Sequence, residues 1–199
     1  MEESHDEKPK PPRDAGLTAR FRLLGFLPLA FFLAQGVHYW RIDQLGHMLW
    51  MCNIGNLLLA IGLFLGQPVL VRVAAIWSIP GVFIWFRYVV MEWGLFGSSM
   101  AAHVGGLIVS LIALRKVRVD RVSWLYCVSW FLILQLLARL TTPPEMNVNV
   151  SQTVYQGWQQ TFTVYWKFWL VTTLLMAVGF WLLGLVLNRL WPAQPSVSF

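Results

Sequence analysis

Charge is the scarcest property of this sequence. Only 12% of its 199 residues are charged, about half the share of an ordinary soluble domain, which excludes a water-solvated globule. Its nine acidic residues all fall outside the apolar stretches, so a carboxylate proton relay through a membrane has no members. There are two cysteines, Cys52 and Cys127. Their positions in their segments differ in depth by roughly 10 Å at 1.5 Å per residue, too far for a disulfide, which needs Cα atoms within about 7 Å. No CxxCH is present, which removes covalent c-type haem attachment. Internal repeats and paired broken segments are also lacking, and with them the usual sign of an inverted-repeat transporter.

What fills the chain is hydrocarbon: 57% of residues are hydrophobic, with 12 Trp and 13 Phe. Six apolar stretches follow one another, at approximately 18–39, 46–66, 69–91, 95–114, 122–140 and 164–188. Each approaches the ~20 residues that cross a hydrocarbon core of ~30 Å. The expected fold is all-α, a polytopic membrane helix bundle of about six transmembrane helices. One membrane domain covers 17–191, with a disordered tail at 1–16, an outer loop at 141–163 and a second tail at 192–199. The run behind the first tail is too long for a signal-peptide core and no small-residue cleavage site follows it, so it is expected to stay as an anchor.

Orientation follows from the 15 Lys and Arg. Lys8, Lys10, Arg13, Arg20, Arg22, Arg72, Arg115, Lys116, Arg118, Arg121 and Arg189 fall on one side; Arg41, Arg87, Arg139 and Lys167 fall on the other. This bias puts both termini in the cytoplasm. The net charge of +6 then serves orientation and contact with anionic lipid rather than nucleic acid. The expected location is the plasma (inner) membrane.

Local patterns add detail. Pro80-Gly81 predicts a kink in segment 3. In segment 4, Gly97, Ala101 and Gly105, with Ser98, Ala102 and Gly106 beside them, form two small-residue ridges that allow close helix approach; this segment is the expected centre of the bundle. The outer loop begins at Pro143-Pro144, and MNVNVSQTV alternates like a short extended piece. From Tyr155 the aromatics Trp158, Phe162, Tyr165 and Trp169 recur at helical spacing, predicting an interfacial helix that runs into segment 6. Asn149-Val150-Ser151 matches a glycosylation acceptor on the correct side.

Polar residues concentrate in the outer half: His47, Cys52, Asn53 and Asn56 on segment 2, Ser99 and His103 on segment 4, Gln135 and Arg139 on segment 5. At the margin stand His38, Asp43, Arg87 and Glu92. Cys52 with Asn56, Ser99 with His103, and Gln135 with Arg139 are each four apart and share a helix face. Cys52, His103 and Gln135 all come out about 7–10 Å deep. Polar faces at one level are costly against lipid, so they are expected to meet one another or a wet cavity. Singly, each has a plainer reading: Asn and Gln as interhelical hydrogen bonds, His38 and His47 as solvated interfacial rings, Arg139 as a headgroup anchor.

Cys52 and His103 together point to more. A thiol becomes nucleophilic when an imidazole within reach takes its proton. Asn53, Asn56, Ser99, Gln135 and Arg139 are the candidate supports, for orienting the ring, stabilising an oxyanion or holding an anionic headgroup. At acyl-chain depth, such a pair suits acyl transfer between membrane lipids through a thioester.

The stretches HMLWMCNIGNLLLAIGLFL (47–65), AAHVGGLIVSLI (101–112) and MNVNV (146–150) resemble the YwaF-like bacterial integral membrane proteins and the related eukaryotic transmembrane acyltransferases. The resemblance implies a compact helix bundle with a Cys–Asn pair at the start of an early span, here Cys52-Asn53, and a His in a later one, here His103. It departs from the family pattern at one point. The family's first His lies two residues before the Cys, where this chain has Trp50; His47 lies five before, about 140° around a helix from the cysteine. If that His is needed, the chain keeps the fold and lacks the activity.

Two other classes compete with lipid acyl transfer. His38, His47 and His103 are the alternative ligands for haem or a metal; otherwise no cofactor is expected. A non-catalytic subunit with protein partners in the membrane is the other reading, favoured by the aromatic outer loop.

Overall fold

Each apolar stretch becomes a helix because lipid offers no partner for backbone N–H and C=O groups, which must therefore be satisfied within the segment. The computed structural model of the protein describes residues 17–90 and 97–191. The expectations for the tails at 1–16 and 192–199, for the end of segment 3 with Glu92 and for the start of segment 4 lie outside the described residues. Six long helices are present among the described residues: α1 (Ala19–Arg41), α2 (Met51–Leu65), α3 (Pro68–Tyr88), α4 (Gly97–Leu114), α5 (Ser123–Thr141) and α6 (Tyr165–Leu190). Five are long and apolar enough to span a membrane; α2 is shorter. There is no strand among the described residues. The chain is a multi-pass helical membrane protein.

The short helix α2 is the centre of the bundle. Nine of its 15 residues are buried, and it packs against α1 and α3. Segment 4 was the expected centre, and the correction has a physical reason. A helix wrapped on most sides by protein need not meet the length requirement that lipid imposes. The chain reaches α2 through a 3-10 turn, Leu45–Leu49, and leaves through Gly66, whose left-handed φ of 66° ends the helix. Gln67 N–H then bonds the Gly62 carbonyl at 2.8 Å, and Pro68 starts α3 with a preset φ. Gly62 is required here: a Cβ would lie 2.9 Å from the Val71 backbone nitrogen. The helix α3 continues through Pro80 and packs against α4 and α5, while α6 lies outermost against α5.

The expected small-residue ridges of α4 are both used. Gly105 faces Phe31 of α1 and Gly106 faces Asn56 of α2. A Cβ on Gly106 would fall 2.5 Å from Asn56 Oδ1, so Gly106→Ala is expected to cost about 1–3 kcal/mol through overpacking. Gly97→Ala meets nothing within 4 Å and is the control. Melting temperatures of the two variants check this; equal values would contradict the packing.

At the basic end, Arg72 of α3 pairs with Asp120 at 2.7 Å and also donates to the Arg118 carbonyl. Asp120 fixes the turn before α5 by accepting from Val122 N–H and the Ser123 hydroxyl. The 115–122 joint is thus fastened to the bundle, with Val117 and Val119 buried beneath it.

The outer loop differs from its expected form. Two 3-10 turns, Pro144–Met146 and Val148–Val150, joined at Asn147, stand where an extended piece was expected. Asn147, Asn149 and Val150 all have positive φ. Residues 155–163 form turns, and helix begins only at Tyr165; the aromatic spacing there is that of a belt. Asn149 is not presented to solvent for glycosylation. It is 4% exposed, accepts from Met51 N–H at 2.9 Å and donates to the Leu49 carbonyl at 2.7 Å. The loop therefore caps the start of α2.

Candidate functional site

A widened turn interrupts α4 at the position of its histidine. Residues Ala101–Gly105 form a π turn, a feature often met at functional sites because it frees backbone carbonyls from the helical ladder. Two carbonyls of this region accept side-chain donors. His103 Nδ1 bonds the Ser99 carbonyl at 2.8 Å, and Asn56 Nδ2 bonds the Ala102 carbonyl at 2.9 Å. A carbonyl can only accept, so Nδ1 carries a proton and the neutral ring leaves its lone pair on Nε2. Trp85 of α3 stacks on the ring, with centroids 5.1 Å apart and planes 14° apart, and its Nε1 donates to Ser99 Oγ at 2.7 Å. The imidazole is held on one face and at one nitrogen.

Cys52 and His103 line the same small cavity, between α2, α3 and α4. Its other polar walls are Asn56, Trp77, Ser78 and Ser110. Its volume is ≈ 10 Å³, close to the least that holds one water. Cys52 is half-buried as a residue and His103 is 8% exposed. Gly81 of α3 lies against the Cys52 side chain, which stands 3.7 Å from where a Cβ on Gly81 would be, an ordinary contact distance.

The candidate supports divide. Asn56 spends its amide on the Cys52 and Ala102 carbonyls, while its Oδ1 is buried without a partner. It presents an acceptor to the site and is no oxyanion donor. Asn53 donates to the His47 carbonyl at 3.0 Å, holding the turn before α2. Ser99 works through Trp85 and His103. Gln135 and Arg139 are not walls of the cavity, so the polar faces expected at one level do not form a single hollow. Gln135 donates to the Asn149 carbonyl and accepts from Trp169 Nε1, both at 3.0 Å. Arg139 reaches the Ser151 carbonyl at 3.4 Å and stands over the Tyr165 ring. Both fasten the outer loop to α5 and α6.

Sequence reasoning missed two residues of the site, Trp77 and Trp85. Trp77 is fully buried, and its indole N–H has no partner, making it the wall with an unspent donor. Inside apolar runs both tryptophans read as packing, and only their neighbours in space distinguish them. Gln35 was missed as well: it is 1% exposed on α1 and accepts from Ser98 Oγ at 2.8 Å.

The alternative ligand set is not assembled. No group of three His, Cys, Asp or Glu stands close enough to hold a metal among the described residues. His103 sits between helices, whereas His38 and His47 flank Tyr39 at the outer end. Trp50 lies parallel to His47 and donates from Nε1 to its Nδ1 at 3.0 Å.

His47 lies outside the membrane-spanning helices, and burial pushes its imidazole below the usual value. Its folded form thus binds a proton less readily than the unfolded chain. The associated stability is present above the ordinary histidine value of about 6.5 and is lost as pH falls below it. The expected result is a Tm that falls on acidification from about pH 7 to 5, less steeply in His47→Gln. An identical slope in the variant would contradict this assignment.

No family model, no curated protein and no solved structure matches the chain.

Proposed function

We propose that this membrane protein transfers acyl groups between lipids in the outer half of the bilayer, with Cys52 as nucleophile and His103 as general base. The supporting observation is that the thiol and an imidazole with its Nδ1 tied to a carbonyl line one cavity. The resemblance to transmembrane acyltransferases agrees with this reading, and the displaced His47 bears on it. His47 accepts from Trp50, so in this chain His103 is the imidazole that shares a cavity with the thiol.

The chemistry balances without a cofactor. His103 Nε2 takes the thiol proton as Sγ attacks the ester carbonyl of a donor lipid. The tetrahedral oxyanion meets the unspent Trp77 N–H and collapses, and the departing alcohol recovers the proton from the imidazolium. An acceptor hydroxyl then gives its proton to His103 and attacks the thioester, which restores the thiol. The cavity admits about one water, so only the reacting carbonyl enters while the acyl chain stays in lipid beside it.

His103→Gln is the test. It keeps a polar side chain but cannot act as a base, and acyl exchange between labelled lipids in proteoliposomes is expected to fall by roughly 10²–10⁴-fold. Exchange at the wild-type rate would remove the imidazole from the mechanism.

A further inference from the structure

A second cavity, of ≈ 460 Å³, opens at the outer end of the bundle between the outer loop and the ends of α2 and α3. That size suits a small ligand or a lipid headgroup. Its walls include three half-buried aromatic rings, those of Trp50, Tyr88 and Tyr155. Trp50 and Tyr88 meet edge to face at 6.4 Å and 63°, and the Tyr88 and Tyr155 hydroxyls are 3.2 Å apart. The rings therefore form a connected, angled wall. Among the described residues, the one charged residue lining the cavity is Glu145, which is exposed and has no ion-pair partner there. Aromatic faces turned in different directions, with a carboxylate as the charged group among the described walls, attract an ammonium group through ring quadrupoles and charge.

The opposite charge stands at the rim. Arg87 donates to the Tyr155 hydroxyl at 3.2 Å and lies over its ring at 5.8 Å. A bare cation would meet this like charge; a zwitterion with an ammonium at one end and a phosphate at the other matches both. The loop wall is fixed in advance, since Asn147 Oδ1 accepts from both Gln152 N–H and Thr153 N–H at 3.0 Å. Position adds to the argument. Trp50 lines this cavity, and the next two residues, Met51 and Cys52, line the inner one.

We propose that this outer cavity binds the choline-type ammonium headgroup of a membrane phospholipid. The proposal stands whether or not Cys52 is a nucleophile, and it would supply the substrate class if it is.

The test uses the full chain in nanodiscs of phosphatidylglycerol, which has no ammonium, titrated with glycerophosphocholine. Saturable binding is expected. The neutral isostere in which carbon replaces the quaternary nitrogen should bind at least about 10-fold more weakly, as should glycerophosphocholine to Glu145→Gln or to Tyr155→Leu. Glu145 is exposed, so its variant should keep the wild-type Tm. In phosphatidylcholine nanodiscs the added headgroup is expected to find the cavity occupied and to lose its signal. Equal binding of the neutral isostere, unchanged affinity in both variants, or effective competition by methyl glucoside would each overturn the ammonium assignment. Undiminished binding in phosphatidylcholine discs would overturn the lipid source. Loss of binding here leaves acyl exchange by Cys52 untouched, so failures of the two readings are separable.

Discussion

Cys52→Ala is expected to lower lipid acyl exchange by on the order of 10³-fold or more, because it removes the atom that forms the covalent intermediate. Cys52→Ser should restore little, since a hydroxyl is a far weaker nucleophile than a thiolate. The side chain lines a cavity rather than the close-packed core, so removing its sulfur should leave the fold intact and the Tm close to wild type. Cys127 provides the contrast. It is fully buried in the core of α5, and Cys127→Ala should reduce stability while sparing turnover per folded molecule. If Cys52→Ala exchanges acyl chains at the wild-type rate in proteoliposomes, the thioester route is eliminated.

Asn149→Ala is expected to have the largest effect on stability, roughly 3 kcal/mol. Two buried hydrogen bonds disappear, at about 1–1.5 kcal/mol each, leaving Met51 N–H and the Leu49 carbonyl without their partner. The residue also sits at a φ of 51°, where asparagine is tolerated better than alanine. Asn149→Asp separates the contributions: it keeps an acceptor for Met51 N–H but sets a carboxylate against the Leu49 carbonyl. Thermal unfolding should rank wild type first and both variants well below it. A wild-type melting curve for Asn149→Ala would mean that the outer loop does not cap α2. Val150, also at positive φ, shows that the loop holds a conformation β-branched residues avoid; burial of its neighbours Val148 and Asn149 is what maintains it.

The helices were legible in the sequence because lipid imposes a simple requirement: a long apolar run must satisfy its own backbone. Six segments give six helices, and the bounds that fall among the described residues agree within about five residues. The ridges of α4 were legible for a similar reason, since only small residues permit the approach that Gly105 and Gly106 make to Phe31 and Asn56. Which residues share one helix face was readable from their spacing. Direction around the bundle was not, because it depends on how the helices are placed. Thus Asn56 and His103 meet at one cavity, while Gln135, expected at the same level, turns to Asn149 and Trp169.

The loop was the least legible part. An alternating pattern such as MNVNV reads as strand only while its asparagines are assumed to face water. Here Asn149 turns inward to cap a helix almost a hundred residues earlier, and local periodicity carries no information about such a partner. The aromatic spacing after Tyr155 misled in the same way, because an interfacial belt and a helix face call for the same residues. Trp77 and Trp85 were hidden for the opposite reason: nothing in an apolar run marks the tryptophan whose N–H lacks a partner or the one that stacks on a histidine.

The most direct measurement is the intact mass of the purified protein after brief exposure to an ester lipid, followed by peptide mapping. The account predicts one added acyl chain, on Cys52, removed by neutral hydroxylamine as a thioester is, and strongly reduced in His103→Gln. Acyl exchange proceeding with no acyl group ever found on Cys52, or with an adduct that forms equally without His103, would contradict it.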